Sequence, residues 1–235
     1  MKTHRIYLIL IIMALGGGLF FVWYYFQHEG KTKKHTEPPP VGYKADPDSM
    51  GWRPLFNGRT LAGWKITNFG TQGPVQVDEK DSTLILGMGE GCTGITWQRE
   101  FPKVNYEIAL DAKRFRGNDF FCGLTFPVEE EYCTLIVGGW GGTVVGISNI
   151  DGKDASENFT RQSMGFEKQK WYHIRVSVTS KWLRAWIDNQ QVAEMQVKKY
   201  QFSVRPEVRL SRPLGICSWM TAAVLKDIQF RKTDS

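Results

Sequence analysis

Tyr106-Glu-Ile-Ala-Leu-Asp-Ala-Lys113 alternates apolar and polar side chains with a period of two. Successive side chains of an extended strand point to opposite faces. Tyr106, Ile108, Leu110 and Ala112 therefore face a core, and Glu107, Asp111 and Lys113 face water. Working outward, Phe120–Phe126 and Tyr132–Val137 read as a hairpin closed by a charged loop, Pro127-Val-Glu-Glu-Glu131. Trp171–Val178 and Leu183–Ile187 repeat the pattern, and Asp188–Gln191 turns the chain into Val192–Val197. No apolar helical period of comparable length appears after residue 50. Many short antiparallel strands at this spacing predict an all-β sandwich or jelly roll.

Size and composition fit that reading. A chain of 235 residues suits one domain with an extension, and 24 glycines with 13% aromatic residues suit strands joined by many turns. The net charge is +6, but six of the 30 basic and four of the 24 acidic groups lie in residues 1–50, leaving +4 for the rest. No basic cluster follows residue 50, which argues against a nucleic-acid partner. Four cysteines without a CxxC spacing argue against a zinc ribbon or a thioredoxin-type centre. Only His173 lies beyond residue 50, so a three-histidine metal site within one chain is excluded.

Residues 1–50 form a separate module. Ile6–Phe26 carries no charge and has the length of a helix that spans a hydrocarbon core. The stretch ends in Trp23-Tyr24-Tyr25-Phe26, which suits a membrane interface and would obstruct a signal peptidase. The expected organisation is a basic flank at 1–5, a single-pass anchor at 6–26, a linker with Pro38-Pro39-Pro40 at 27–50 and a β domain at 51–235. A cleaved signal peptide is the alternative, and lysines and arginine flank both ends, so charge does not orient the anchor.

Several local patterns have plain explanations. Gly89–Gly94 matches GxGxxG, but a strand rather than a helix follows it, so it reads as a turn. Asn158-Phe-Thr160 matches a glycosylation acceptor and marks at most an exposed loop. Glu107 and Asp111 lie about 13 Å apart at strand rise, too far for the roughly 5–9.5 Å of paired glycosidase carboxylates. His173 reads as a solvated strand residue. Glu129-Glu130-Glu131 reads as solvated charge rather than a calcium site. Cys122 and Cys133 point into the core as hairpin neighbours, either as free thiols or as a disulfide. Cys92 and Cys217 carry no assignment. Trp140, within Gly138-Gly-Trp-Gly-Gly142, is the best candidate for a sugar-stacking platform, because glycines let a ligand approach the backbone.

Trp52-Arg-Pro-Leu-Phe-Asn-Gly-Arg-Thr-Leu-Ala-Gly-Trp64 resembles the opening signature of the 3-keto-disaccharide hydrolase domain family. The likeness extends over about residues 51–232, through the Trp-Tyr strand near 171, a Trp-Ile-Asp-Asn turn at 186–189 and Leu225–Arg231. It implies a concanavalin A-like jelly roll, an extracytoplasmic setting and cleavage of glycosides oxidised at C3. The ketone acidifies the neighbouring C–H, so a base starts elimination of the leaving sugar, and a cation or hydrogen-bond donors hold the enolate. Where the family carries an Asn-Ser-Gly segment and an arginine-ended strand, this chain reads Arg114-Phe-Arg-Gly-Asn-Asp-Phe-Phe-Cys-Gly-Leu-Thr-Phe-Pro127. The working site takes Asp119 as base, Arg114 and Asn118 as holders of the enolate or a hydroxyl, Trp140 as platform and Glu131 as a further substrate contact. No cofactor is assigned, and no metal ligand. A keto-disaccharide or polysaccharide is the expected partner, beside the membrane through residues 6–26. Two other functions stay open: a non-catalytic carbohydrate-binding module and a protein-interaction sandwich.

Overall fold

The computed structural model of the chain describes residues 50–233, so the expected flank and anchor, and the linker up to residue 49, lie outside the described residues. Among the described residues no helix is long and apolar enough to cross a membrane.

Among the described residues, fifteen strands build two antiparallel sheets. They are β1 (Arg53–Pro54), β2 (Trp64–Ile66), β3 (Val75–Asp78), β4 (Thr83–Leu86), β5 (Cys92–Trp97), β6 (Tyr106–Gly117), β7 (Cys122–Val128) and β8 (Glu131–Gly139). Then follow β9 (Val144–Ser148), β10 (Gln162–Ser163), β11 (Tyr172–Val178), β12 (Trp182–Ile187), β13 (Gln190–Gln196), β14 (Gly215–Trp219) and β15 (Thr221–Lys232). The first sheet runs β13-β12-β11-β6-β15-β4-β3, with β1 also on β15, and the second runs β10-β9-β8-β7-β14-β5-β2. The chain crosses between sheets repeatedly, as in a jelly roll.

The alternation of β6 is borne out. Tyr106, Ile108, Leu110 and Ala112 are fully buried between the sheets, against Ile174 and Val176 of β11 and Leu124 and Leu135 of the second sheet. Tyr106 buries its ring and donates its hydroxyl to the Pro127 carbonyl at 2.6 Å, which satisfies the one polar atom it takes inside. Glu107 faces outward yet is only 7% exposed, because Arg175 of β11 and Arg231 of β15 close over it.

The family-like opening segment is a seam between the sheets. The Leu55 and Phe56 amides donate to the Ile228 carbonyl of β15, and the Trp64 indole N–H donates to the Leu55 carbonyl at 2.8 Å. Asn57 accepts the Arg59 and Thr60 amides, a side-chain-closed turn. Gly63, at φ +86°, leaves room for the Trp97 ring, which a Cβ would meet at 2.7 Å.

Three expectations are corrected. The β7–β8 hairpin is longer than the pattern suggests: Pro127 pairs with Tyr132 and Val128 with Glu131, so only Glu129 and Glu130 form the turn, with Glu129 at φ +54°. That register places Cys122 opposite Val137 and Cys133 opposite Phe126. The two cysteines are therefore four positions apart along the hairpin, about 13 Å, too far to bridge; all four cysteines are free and buried. Asn158 is not on display either, being 8% exposed with its amide donating to the Ile147, Lys153 and Asp154 carbonyls. Of Gly89–Gly94 only residues 89–91 form the expected turn; Cys92, Thr93 and Gly94 already belong to strand β5, and no helix follows.

Candidate functional site

The fifth inward position of β6 is occupied by a charge. Arg114 is 3% exposed, its guanidinium 5.3 Å from the Phe121 ring centroid, and its Nη2 donates to the Gly142 carbonyl at 2.8 Å. Burial lowers its pKa while the charge of Asp119 works the other way. Its Nε has no hydrogen-bond partner among the described residues.

β6 ends at Gly117, φ +97°, and turns through Asn118 into Asp119. The Asp119 amide donates to the Thr221 hydroxyl at 3.0 Å, and its Oδ1 accepts the Phe120 amide at 2.7 Å. Facing this turn are the end of β8 and the loop after it, where Gly138 in the strand and Trp140, Gly141 and Gly142 in the loop all have positive φ. The glycines make room for Arg114 and Asn118. A Cβ on Gly142 would lie 2.8 Å from Arg114 Nη1 and from Asn118 Oδ1, and one on Gly138 would lie 2.6 Å from Arg114 Nη2. A Cβ on Gly139 would lie 3.8 Å from Asp119 Oδ1. Trp140 projects from the loop with 41% of its surface exposed, and the Arg205 guanidinium stands 5.9 Å from its ring. Arg205 in turn pairs with Asp154 and Glu207.

Of the five residues singled out from sequence, Arg114, Asn118 and Asp119 thus meet the glycines that flank Trp140, while the Trp140 ring itself contacts Arg205. Glu131 does not join them. It begins β8 while the Trp140 loop ends it, a separation of roughly 26 Å at strand rise. There its Oε2 accepts the Phe202 amide at 2.6 Å.

Between these two ends the outer face of the second sheet is covered by the chain itself. Every residue of β5, β7 and β9 is buried, which requires cover on both faces. Residues 150–163 and 202–212 supply it. A Cβ on Gly146 would meet Thr160 Oγ1 at 3.1 Å, one on Gly215 would meet the Ser211 carbonyl oxygen at 2.5 Å, and Thr96 Oγ1 donates to the Leu210 carbonyl. A small apolar cluster of Cys92, Phe120, Ile136, Val144, Ala155, Val208 and Cys217 fills the space. Among the described residues, no group of three His, Cys, Asp or Glu side chains is placed to hold a metal ion.

At the Glu131 end the cover leaves a cleft of about 460 Å³, with Tyr132, Ser203, Arg209 and Arg212 in its wall beside Glu130 and Glu131. Sequence reading did not reach Tyr132 or the arginines. The one available signal was the run Arg205-Pro-Glu-Val-Arg209-Leu-Ser-Arg212, three cations in a segment without strand alternation.

Two packed antiparallel sheets with jelly-roll crossings define a lectin-like sandwich. Solved structures share this fold at low identity. A Parabacteroides distasonis protein provisionally assigned as a glycosyl hydrolase matches at 15% identity and TM-score 0.50, over 79% of this chain and 95% of its own. The Crh5 transglycosylase in complex with NAG matches at 12% identity and TM-score 0.55, over 79% and 85%. A Bacillus subtilis protein with a galectin-like fold matches at 10% and TM-score 0.50, over 72% and 89%. No curated protein matches the chain. Residues 51–232 match the model of the 3-keto-alpha-glucoside-1,2-lyase-like domain, and the chain belongs to that family.

Proposed function

We propose that the domain acts on carbohydrate, and that its substrate is a 3-keto glycoside bound where Asn118 and Asp119 face the Trp140 loop. One observation carries the catalytic reading. Asp119 Oδ1 is fixed by the Phe120 amide at 2.7 Å, while Oδ2 accepts no hydrogen bond and joins no ion pair among the described residues, an arrangement that suits an oriented base. In the proposed step Oδ2 takes the proton beside the ketone, the electron pair moves toward the keto oxygen as an enolate, and its return expels the leaving sugar as an alkoxide that takes up a proton. A C=C bond forms, and the glycosidic C–O bond breaks. Asn118, exposed on the same turn, offers an amide N–H to the enolate oxygen. Trp140 offers a flat apolar ring to a sugar face. Arg114 acts through the loop: at 3% exposure it fixes Gly142 rather than touching substrate. The same observation favours a second reading, binding without turnover, since it removes the strongest enolate donor from the site.

Incubating the intact chain in detergent micelles with a 3-keto disaccharide and with its unoxidised parent tests both. The expected result is release of a monosaccharide from the keto form alone, with Asp119→Asn lowering kcat at least about 10²-fold and Trp140→Ala mainly raising KM. Binding without release makes the domain a carbohydrate-binding module, and neither binding nor release across a panel of keto-sugars and polysaccharides leaves the protein-interaction sandwich. We also propose that residues 6–26 tether the domain to a membrane on its extracytoplasmic side, on the strength of their charge-free length. Carbonate washing should leave the chain in the membrane fraction; soluble protein beginning after Phe26 would instead identify a signal peptide.

A further inference from the structure

The cleft at the Glu131 end is a second polar site, distinct from the Trp140 loop. Its volume of about 460 Å³ lies within the roughly 300–1,000 Å³ of small-molecule sites. Its acids already have partners: Glu130 pairs with Lys103, and Glu131 Oε2 accepts the Phe202 amide. Its cations do not. Arg212 gives its Nε to the Arg209 carbonyl at 3.0 Å and stands 5.7 Å from the Tyr132 ring centroid, contacts that orient the guanidinium without using Nη1 or Nη2. Neither Arg209 nor Arg212 forms an ion pair with a carboxylate among the described residues. This differs from the other face of the molecule, where Arg175, Arg184 and Arg231 are each matched to a glutamate.

We infer that this cleft binds the acidic group of an anionic saccharide, a uronate carboxylate or a sugar sulfate, through the Arg209 and Arg212 guanidinium groups beside Tyr132. A guanidinium presents paired N–H donors in the plane that a carboxylate or sulfate accepts, and such bonds are about twice as strong as neutral ones. The remaining wall suits the rest of a sugar. Glu131 Oε1 and the Ser203 hydroxyl accept from ring hydroxyls, and the Tyr132 ring covers an apolar edge. The inference rests on the carbohydrate reading above and assigns the acidic subsite within it.

Calorimetry on the intact chain in detergent micelles tests it with three probes: tetragalacturonate, its fully methyl-esterified form, and a sulfated galactan oligosaccharide of equal length. At least one acidic probe should bind, at least about tenfold more tightly than the ester, and the tighter of the two identifies carboxylate or sulfate as the group read. Arg209→Gln and Arg212→Gln should each lower that affinity about tenfold or more without shifting the melting temperature, while Trp140→Ala should leave it unchanged. Equal affinity for acid and ester, or acid binding indifferent to both arginine variants, overturns the inference. Loss of all acidic binding while a 3-keto disaccharide still binds in a Trp140-dependent way overturns this subsite alone; failure of every sugar overturns the carbohydrate reading with it.

Discussion

His173 Nδ1 stands 2.7 Å from Asp111 Oδ1, across directly paired positions of β11 and β6, and Lys226 Nζ approaches the other oxygen of the same carboxylate at 3.6 Å. The hydrogen bond to Asp111 raises the pKa of His173 above 6.5, and the same bond lowers that of Asp111 below 3.8. A raised histidine stabilises below its unfolded pKa and loses that contribution as pH climbs through the folded value. A lowered carboxylate stabilises above its unfolded pKa and loses that contribution as pH falls through the folded value. The pair therefore contributes most between about pH 4 and 6.5. With the imidazole about half exposed, solvent screening limits it to about 1 kcal/mol. The melting-temperature gap between the protein and His173→Asn should be widest near pH 5.5 and close toward pH 8.5; a gap constant with pH would show that packing, not the ion pair, is what the variant loses.

Glu107 is the stronger electrostatic fixture of the same face. Its Oε1 accepts Arg175 Nη1 at 2.8 Å and its Oε2 accepts Arg231 Nε and Nη2 at 2.9 and 2.7 Å, while Arg175 stacks 3.8 Å from the Trp186 ring and Arg231 4.7 Å from Trp52. Three strands meet at one buried carboxylate. Glu107→Gln keeps the shape and removes the charge, so two crowded guanidinium groups face a neutral amide; urea unfolding should report a loss of about 1–3 kcal/mol, larger than for Glu194→Gln at the more exposed Arg184 pair.

How far the sequence discloses this molecule depends on the range of the interaction involved. The alternation of β6 and β11 is legible because one face of that sheet meets a core and the other meets water. The second sheet is harder, since β5 and β7 are buried on both faces and carry Cys, Gly, Thr or Pro, not charged residues, at the positions that face away from the core. The cover at 150–163 and 202–212 has no period at all, so the closing of that face was invisible. The glycines around Trp140 signalled close approach correctly, but the approaching group is Arg114, 28 residues earlier in sequence. The opening family-like segment was legible as a signature and not as a site: its hydrogen bonds join the two sheets.

The cysteines give a chemical test of the hairpin register. Burial pushes the Cys122 thiol up to about 12 and raises Cys133 well above the ordinary range; a hydrogen bond with Cys217, followed by burial, raises Cys92. Thiolate is the reactive form, so alkylation at pH 8 should be slow in the folded protein and reach four thiols in denaturant. Reductant should leave the melting temperature unchanged. A fall on reduction, or fewer than four thiols in denaturant without reductant, would mean a disulfide; peptide mapping then separates a bridge between the neighbouring Cys92 and Cys217 from one between Cys122 and Cys133, and only the second would overturn the register of β7 and β8.

The Trp140 loop is where stability and the proposed chemistry meet, and two of its glycines separate the causes. Gly141 and Gly142 both have left-handed backbone, φ +84° and +104°, so alanine strains either one by about 1–2 kcal/mol. Their surroundings differ. Nothing lies within 4 Å of a Cβ on Gly141, whereas a Cβ on Gly142 would meet Arg114 Nη1 and Asn118 Oδ1 at 2.8 Å. Gly142→Ala must therefore also displace a buried guanidinium from its carbonyl partner, and its cost should exceed that of Gly141→Ala by about 1–3 kcal/mol in urea unfolding. Because Arg114 holds the Gly142 carbonyl and Asn118 lies against Gly142 on the turn that leads to Asp119, Gly142→Ala should also change Trp140 fluorescence and weaken sugar binding, while Gly141→Ala should do neither to the same extent. Adding Arg114→Met to Gly142→Ala should cost less than the two changes made separately, since the first removes what the second strikes. Equal costs for the two glycine variants, or full additivity in the double variant, would show that the guanidinium does not set the conformation of this loop.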